Sequence, residues 1–178
     1  MCKLFLWTFK EAINALSICE IIFLHCLSEK GKGKIEEILD KFERETSNYG
    51  FIGKHLFSNT LKSLEFQSFV KIRKVNLNHV NIELSNYLRR QPKLVRLLEE
   101  EIKRRTGGLK PEVFRKILNA IEFLRKKDNG CVKLKKLQTV LQNYGVSKKE
   151  FEVAVKKLLE WGFLYKPNQD TIQTIKLL

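Results

Sequence analysis

KHLFSNTLKSLEFQSFVKIRKVNLNHVNIELS, residues 54–85, holds the switch on which the fold turns, because its apolar period changes from about 3.6 residues to 2. Between Lys54 and Gln67, the residues Leu56, Phe57, Thr60, Leu61 and Leu64 fall on one side, as in a helix with one buried face. In Val70-Lys71-Ile72-Arg73 the apolar residues alternate with basic ones, and in Val80-Asn81-Ile82-Glu83-Leu84 they alternate with polar ones. Asn76-Leu77-Asn78-His79 between the two runs has the composition of a tight turn. The stretch therefore predicts a helix followed by a two-stranded hairpin.

Two helical patterns precede it. From about Thr8 to Glu29, Ala12, Leu16, Cys19, Phe23 and Cys26 or Leu27 recur at helical spacing until Gly31 and Gly33 close the segment. From about Lys34 to Thr46, Ile35, Ile38, Leu39 and Phe42 share one side, and Ser47 to Gly53 reads as a turn. Three helices and a hairpin form the order of a winged helix-turn-helix domain. The order returns further on. Glu112 to Lys127 is helical, Asp128-Asn129-Gly130 is a turn, Cys131 to Leu134 suits a short strand, and a second helix runs from Lys135 to Asn143 with Gly145 as its cap. Ser147 and Glu150 make a capping box for a third helix, and Phe163–Lys166, a Pro167–Asp170 turn and Thr171–Leu177 make a second hairpin.

Between these halves a helix opening at Pro92 and running to Arg105 carries Leu94, Val95, Leu97, Leu98 and Ile102 as an apolar stripe. It either docks on its own chain, which favours a monomer, or pairs two chains as a homodimer; docking is preferred. The expected fold class is mainly α with small β-hairpins (α+β): two winged helix-turn-helix domains in tandem joined by a helix. The boundaries are 1–86 for domain 1, 87–108 for the basic amphipathic connecting helix and 109–178 for domain 2.

The 178 residues carry 34 Lys+Arg against 20 Asp+Glu, a formal net charge of +14, and 43% hydrophobic residues including 12 Phe. That supports a packed core, and it favours a polyanionic partner. Residues 1–86 hold 12 basic and 10 acidic residues, 87–110 hold 8 and 3, and 111–178 hold 14 and 7, so the excess gathers in the middle and the second half.

Chemistry of other kinds has little support. Cys2, Cys19, Cys26 and Cys131 show no C-x-x-C spacing, so no metal site is expected, and Cys19 and Cys26 fit the core. Gly31-Lys32-Gly33-Lys34 lacks the phosphate-loop spacing, and Glu99-Glu100-Glu101 point about 100° apart around a helix, so they cannot converge. No nucleophile-base set is visible, and neither an enzyme nor a cofactor is expected. Lys10, Glu11 and Glu20 interrupt the apolar run from Leu4 to Leu27, so no membrane span is expected and a reduced, cytoplasmic, nucleoid-associated protein is.

Nucleic-acid binding has a residue-level case. With Leu56, Phe57, Leu61 and Leu64 inward, helical geometry turns His55, Ser58, Asn59 and Lys62 outward, where Asn suits adenine, Ser either base edge, and Lys guanine or phosphate. Lys71, Arg73, Lys74, Asn76 and Asn78 of the wing suit phosphate or minor-groove contact. In the second half, Lys133, Lys135, Lys136, Lys149 and Lys156 suit sequence-independent phosphate contacts. The third helix there also exposes Glu152, Val153 and Glu160, a mixed face that suits a protein partner as well as DNA.

Lys156-Lys157-Leu158-Leu159-Glu160-Trp161-Gly162-Phe163-Leu164-Tyr165-Lys166-Pro167, followed by Ile172 and Ile175-Lys176-Leu177-Leu178, resembles the last helix and wing of archaeal winged-helix domains. It is similar to those at the C-terminus of minichromosome maintenance helicases, although the helicase itself, with its ATPase motifs, is absent. The first hairpin is similar to wings of archaeal and bacterial transcription regulators. The resemblance implies a protein that binds double-stranded DNA, as a transcription regulator or a replication-initiation accessory of an archaeon, virus or plasmid. The alternative is a protein–protein assembly module of a nucleic-acid-associated complex.

Overall fold

The structure, a computed structural model, describes residues 9–51, 55–76, 79–127 and 131–174. The chain divides into two compact units, Met1–Arg44 with Lys54–Ile102, and Glu45–Gly53 with Lys103–Leu178. In chain order the elements of the first unit's sequence are α1 (Phe9–Ala15), α2 (Ile18–Ser28), β1 (Lys32–Lys34), α3 (Ile35–Ser47), α4 (Leu56–Phe66), β2 (Val70–Asn76), β3 (His79–Leu84), α5 (Asn86–Arg89) and α6 (Leu94–Arg105). They are followed by α7 (Pro111–Lys127), β4 (Val132–Lys133), α8 (Leu134–Asn143), α9 (Lys148–Glu160), β5 (Leu164–Asn168) and β6 (Thr171–Thr174). The last turn of α3 counts with the second unit, as does the end of α6 from Lys103.

The same order, helix–strand–helix–helix–strand–strand, runs through both units, and the antiparallel sheets are ordered β1-β3-β2 and β4-β6-β5. The fold is α+β with a winged helix. In the first unit α2 is apolar on every side, so it must be covered on every side. Ile21, Ile22, Phe23, Leu24 and Leu27 are all buried, with α3 (Ile38, Phe42), α4 (Leu61, Leu64) and the inner sheet face (Val70, Ile82, Leu84) contributing the rest of that core. Phe23, Phe42 and Phe57 meet with ring centroids 5.4 to 5.8 Å apart. Burial, and then the neighbouring Glu20 charge, push the Cys19 thiol up to about 12, in keeping with a core role. No described helix is long and apolar enough to cross a membrane.

The structure corrects four expectations. The single helix from Thr8 to Glu29 is two, because Ser17 caps α2 in a Ser17-x-x-Glu20 capping box that interrupts the apolar run. The Gly31–Gly33 segment does more than close a helix: Lys32–Lys34 is a strand, held by pairing with β3. Pro92 lies ahead of α6, because Lys93 adopts φ 62° and the helix starts at Leu94. The last hairpin turns at Gln169-Asp170, since β5 continues through Pro167 to Asn168. The helix start at Thr8, the turn residues Gly53, Leu77, Asn78 and Asp128–Gly130, and the strand end at Ile175–Leu177 lie outside the described residues.

Within the second unit, residues 45–53 supply aromatic side chains that the 103–178 segment does not contain. Tyr49 lies against Phe114 and Trp161 (centroids 5.7 and 6.5 Å), and Phe51 against Trp161 and Phe163 (5.4 and 4.7 Å). Gly50 between them has φ 87°, and a Cβ there would sit 2.2 Å from Leu118 Cδ1. A side chain there would have to displace Leu118 and would strain the left-handed backbone, so the position favours glycine.

One buried carboxylate fixes α4 against α2. Glu20 accepts hydrogen bonds from the Ser17 backbone (2.6 Å), the Ser63 hydroxyl (2.6 Å) and the Gln67 amide (2.9 Å), and Ser63 and Gln67 lie on α4 and its cap. Burial pushes the Glu20 carboxyl up, but the bonds from Ser63, Ser17 and Gln67 together outweigh it and hold it below the usual carboxylate range. Because the shift is downward, the stability it contributes is complete above the ordinary value of about 4.3 and is lost as pH falls through the lower folded value. Urea unfolding should show Glu20→Gln destabilised by about 1–3 kcal/mol at pH 7. That difference from the wild type should shrink as pH falls below the carboxylate range.

Both third helices end the same way. Phe69 and Phe163 backbone amides donate to Leu64 and Leu158 carbonyls, after a left-handed residue that is Gly162 (φ 76°) in one unit and Ser68 (φ 63°) in the other. Glycine adopts this conformation freely, whereas serine pays for its Cβ. Ser68→Gly is expected to stabilise the first unit by about 0.5–1 kcal/mol, read from the thermal midpoint.

Candidate nucleic-acid interface

Helix α4 has two sides of different character. Leu61 and Leu64 face the core, while His55, Asn59 and Lys62 are exposed and Ser58 is half-buried. His55, Ser58, Asn59 and Lys62 are spaced three and four residues apart, so the structure brings them together on one face. The Ser58 hydroxyl donates to the His55 carbonyl at 3.1 Å, which leaves its lone pairs outward as acceptors. Glu65 and Phe66, the latter 91% exposed, end that helix.

The hairpin supplies cations on a different element. Lys71 and Arg73 lie two residues apart on β2 and share a sheet face; with Lys74 they are exposed, and Asn78 lies outside the described residues. Arg73 also has a job within the unit. Its Nε lies 3.2 Å from a Glu83 carboxylate oxygen, which also takes Arg89 Nη2 at 3.3 Å. Arg89 Nη2 in turn donates to the Gly31 carbonyl at 3.3 Å, tying α5 to the start of β1.

In the second unit Lys133, Lys135, Lys136, Lys149 and Lys156 are all exposed, Lys133 on β4, Lys135 and Lys136 on α8, and the other two on α9. Their placement on three elements makes a dispersed basic surface rather than one reading face. Neighbouring charges on α9 are paired internally, Lys148 with Glu152 (4.0 Å) and Lys157 with Glu160 (2.8 Å). Val153 is not the outward apolar contact expected from periodicity. It is half-buried, with its Cγ1 2.7 Å from where a Cβ on Gly107 would stand, so it covers the turn after α6. The wing of this unit is closed by Asn168, whose side-chain oxygen accepts from the Asp170 amide (3.0 Å) and the Thr171 hydroxyl (2.9 Å).

In α6, Leu94 and Leu98 are buried within the chain while Leu97 is 38% exposed. Among the described residues, no three His, Cys, Asp or Glu side chains gather as a metal-ligand set. Sequence reasoning missed Lys32, Lys34 and Arg89 as members of the basic surface of the first unit. The Gly-Lys-Gly-Lys composition gives no strand signal; the only clue is the alternation of lysines, which puts both on one side once the segment is extended.

Residues 111–175, just over a third of the chain, match the family model of the MCM protein C-terminal winged helix-turn-helix domain. This segment is a winged helix resembling that of MCM helicases. No curated protein matches the chain.

Proposed function

We propose that the protein is a double-stranded-DNA-binding protein built on two winged helices, acting in transcription regulation or as an accessory of replication initiation, and working as a binding protein rather than an enzyme. The observation that carries this reading is the α4 face: His55, Ser58, Asn59 and Lys62 offer base-edge donors and acceptors without an acidic residue until Glu65. The second unit's match to an MCM winged helix supports a nucleic-acid-associated role for the other half. In this reading α4 reads bases, the Lys71–Lys74 wing grips phosphate, and the lysines of α8 and α9 add sequence-independent attraction. The same reading places the protein in the cytoplasm on the nucleoid, as a monomer whose α6 stripe covers its own core.

A second reading, a protein-assembly module, is favoured by one feature of the second unit. Phe123 and Tyr144, 54% and 63% exposed, flank a cleft floored by Ala120 and Val140. Solvent-facing rings beside a cleft suit a protein contact.

Two measurements separate the readings. Binding to a random duplex, followed by fluorescence at several salt concentrations, should give a log–log slope near −5 for about 6 neutralised phosphates. No salt-dependent binding at low ionic strength would favour the assembly reading. Asn59→Ala should cost about 1–3 kcal/mol and relax preference at one base position, whereas Lys74→Ala should weaken all sequences alike and shorten the slope by about 1. Equal losses from both variants on every sequence would remove base reading from α4.

A further inference from the structure

The sheet of the first unit has one face in the core and one outside it. Gly33, Ile82 and Ile72 are in register across its three strands, with Ile82 fully buried. One residue along, the side chains turn to the opposite face, where Lys32, Glu83 and Lys71 are in register, and two residues further Lys34, Asn81 and Arg73. Lys32, Lys34, Lys71 and Arg73 are all exposed and stand at the four corners of this face.

Sheet stability does not select such a pattern. Lys-Gly-Lys is a poor strand sequence, and although Glu83 stands opposite Lys32 and Lys71, the next row, Lys34 and Arg73, has only Asn81 between its two cations. The one carboxylate on the face, Glu83, is already engaged by Arg73 and Arg89. Five cations thus surround one acid. The positive surface continues into an open cleft of about 560 Å³ that shares Lys32, Glu83 and Arg89 with it and adds Lys30, Lys93 and Glu29, the last already paired with Lys41 at 3.0 Å.

Strand geometry puts the corner residues about 7 Å apart along each strand and about 10 Å apart across the sheet. A lattice of that size is too wide for one compact anion and suits the repeated charges of a polyanion, which in a duplex recur about every 3.4 Å of axis on each strand. No aromatic side chain lines the cleft, so the stacking platform that holds splayed single strands is lacking there.

We infer that the outer sheet face and its adjoining cleft form a second phosphate-binding surface, which grips the backbone of duplex DNA without reading its bases. The inference rests on the DNA-binding reading above and adds β1, whose lysines do not belong to the α4 face or to the hairpin.

The test uses the full chain and a random-sequence duplex. The double variant Lys32→Gln/Lys34→Gln should make the log–log salt slope shallower by about 2 and lower affinity about 10- to 100-fold near 0.1 M salt. A second readout needs no substitution: in the unaltered protein, lysine acetylation followed by mass spectrometry should find Lys32 and Lys34 protected by the duplex. An unchanged slope in the double variant, or equal acetylation of both lysines with and without duplex, overturns the sheet surface while leaving DNA binding by α4 intact. Absence of salt-dependent binding by the wild type overturns the DNA-binding reading itself.

Discussion

The placement of α4 depends on a single carboxylate. Glu20 starts α2 by capping it with Ser17 and accepts bonds from Ser63 and Gln67, so one buried acid both begins the central helix and sets the rotation of the candidate reading helix upon it. Burying a charge is costly unless its lone pairs are occupied. Here three donors occupy them, and they come from two helices. Apolar packing through Leu61 and Leu64 would tolerate small rotations of α4; a set of directional bonds at 2.6 to 2.9 Å does not. Rotation matters because a helix that reads a groove must present the same few side chains each time.

Charge in residues 1–86 is arranged more economically than its near-neutral total suggests. Three of its acids are taken up in local roles: Glu20 in the core, Glu29 with Lys41 at 3.0 Å, Glu83 with Arg73 and Arg89. The lysines of β1 and β2 are collected on one sheet face. A small net charge is therefore compatible with a strong local field, because partners remove the acids from the surface that the lysines occupy.

Much of the architecture was legible because it is local. The period change near Val70, the capping box at Ser147 and Glu150 and the glycine after α9 each act within a few residues, and each appears where periodicity and capping put it. What escaped was non-local. The Ser17–Glu20 box is the same motif, but it sits inside an unbroken apolar run and so looked like the middle of a helix. Strand β1 exists because β3 pairs with it, not because Lys-Gly-Lys favours extension. At the candidate interface, the outward residues of α4 followed from helix geometry, while the place of Arg89, and of Val153 against Gly107, required knowing which segments meet. Tyr49 and Phe51 were a signal left unused: two aromatic residues in a turn have to be covered by something.

That turn has a temporal consequence. Tyr49 and Phe51 are made well before their ring partners Trp161 and Phe163, which follow them by more than a hundred residues. Until then these rings have only Phe114 and its neighbours to cover them, and contacts so distant in sequence form slowly. The second unit can reach its final packing only after the chain through Phe163 has left the ribosome, so the arrival of α9 and β5, rather than the first appearance of a foldable segment, sets when it matures.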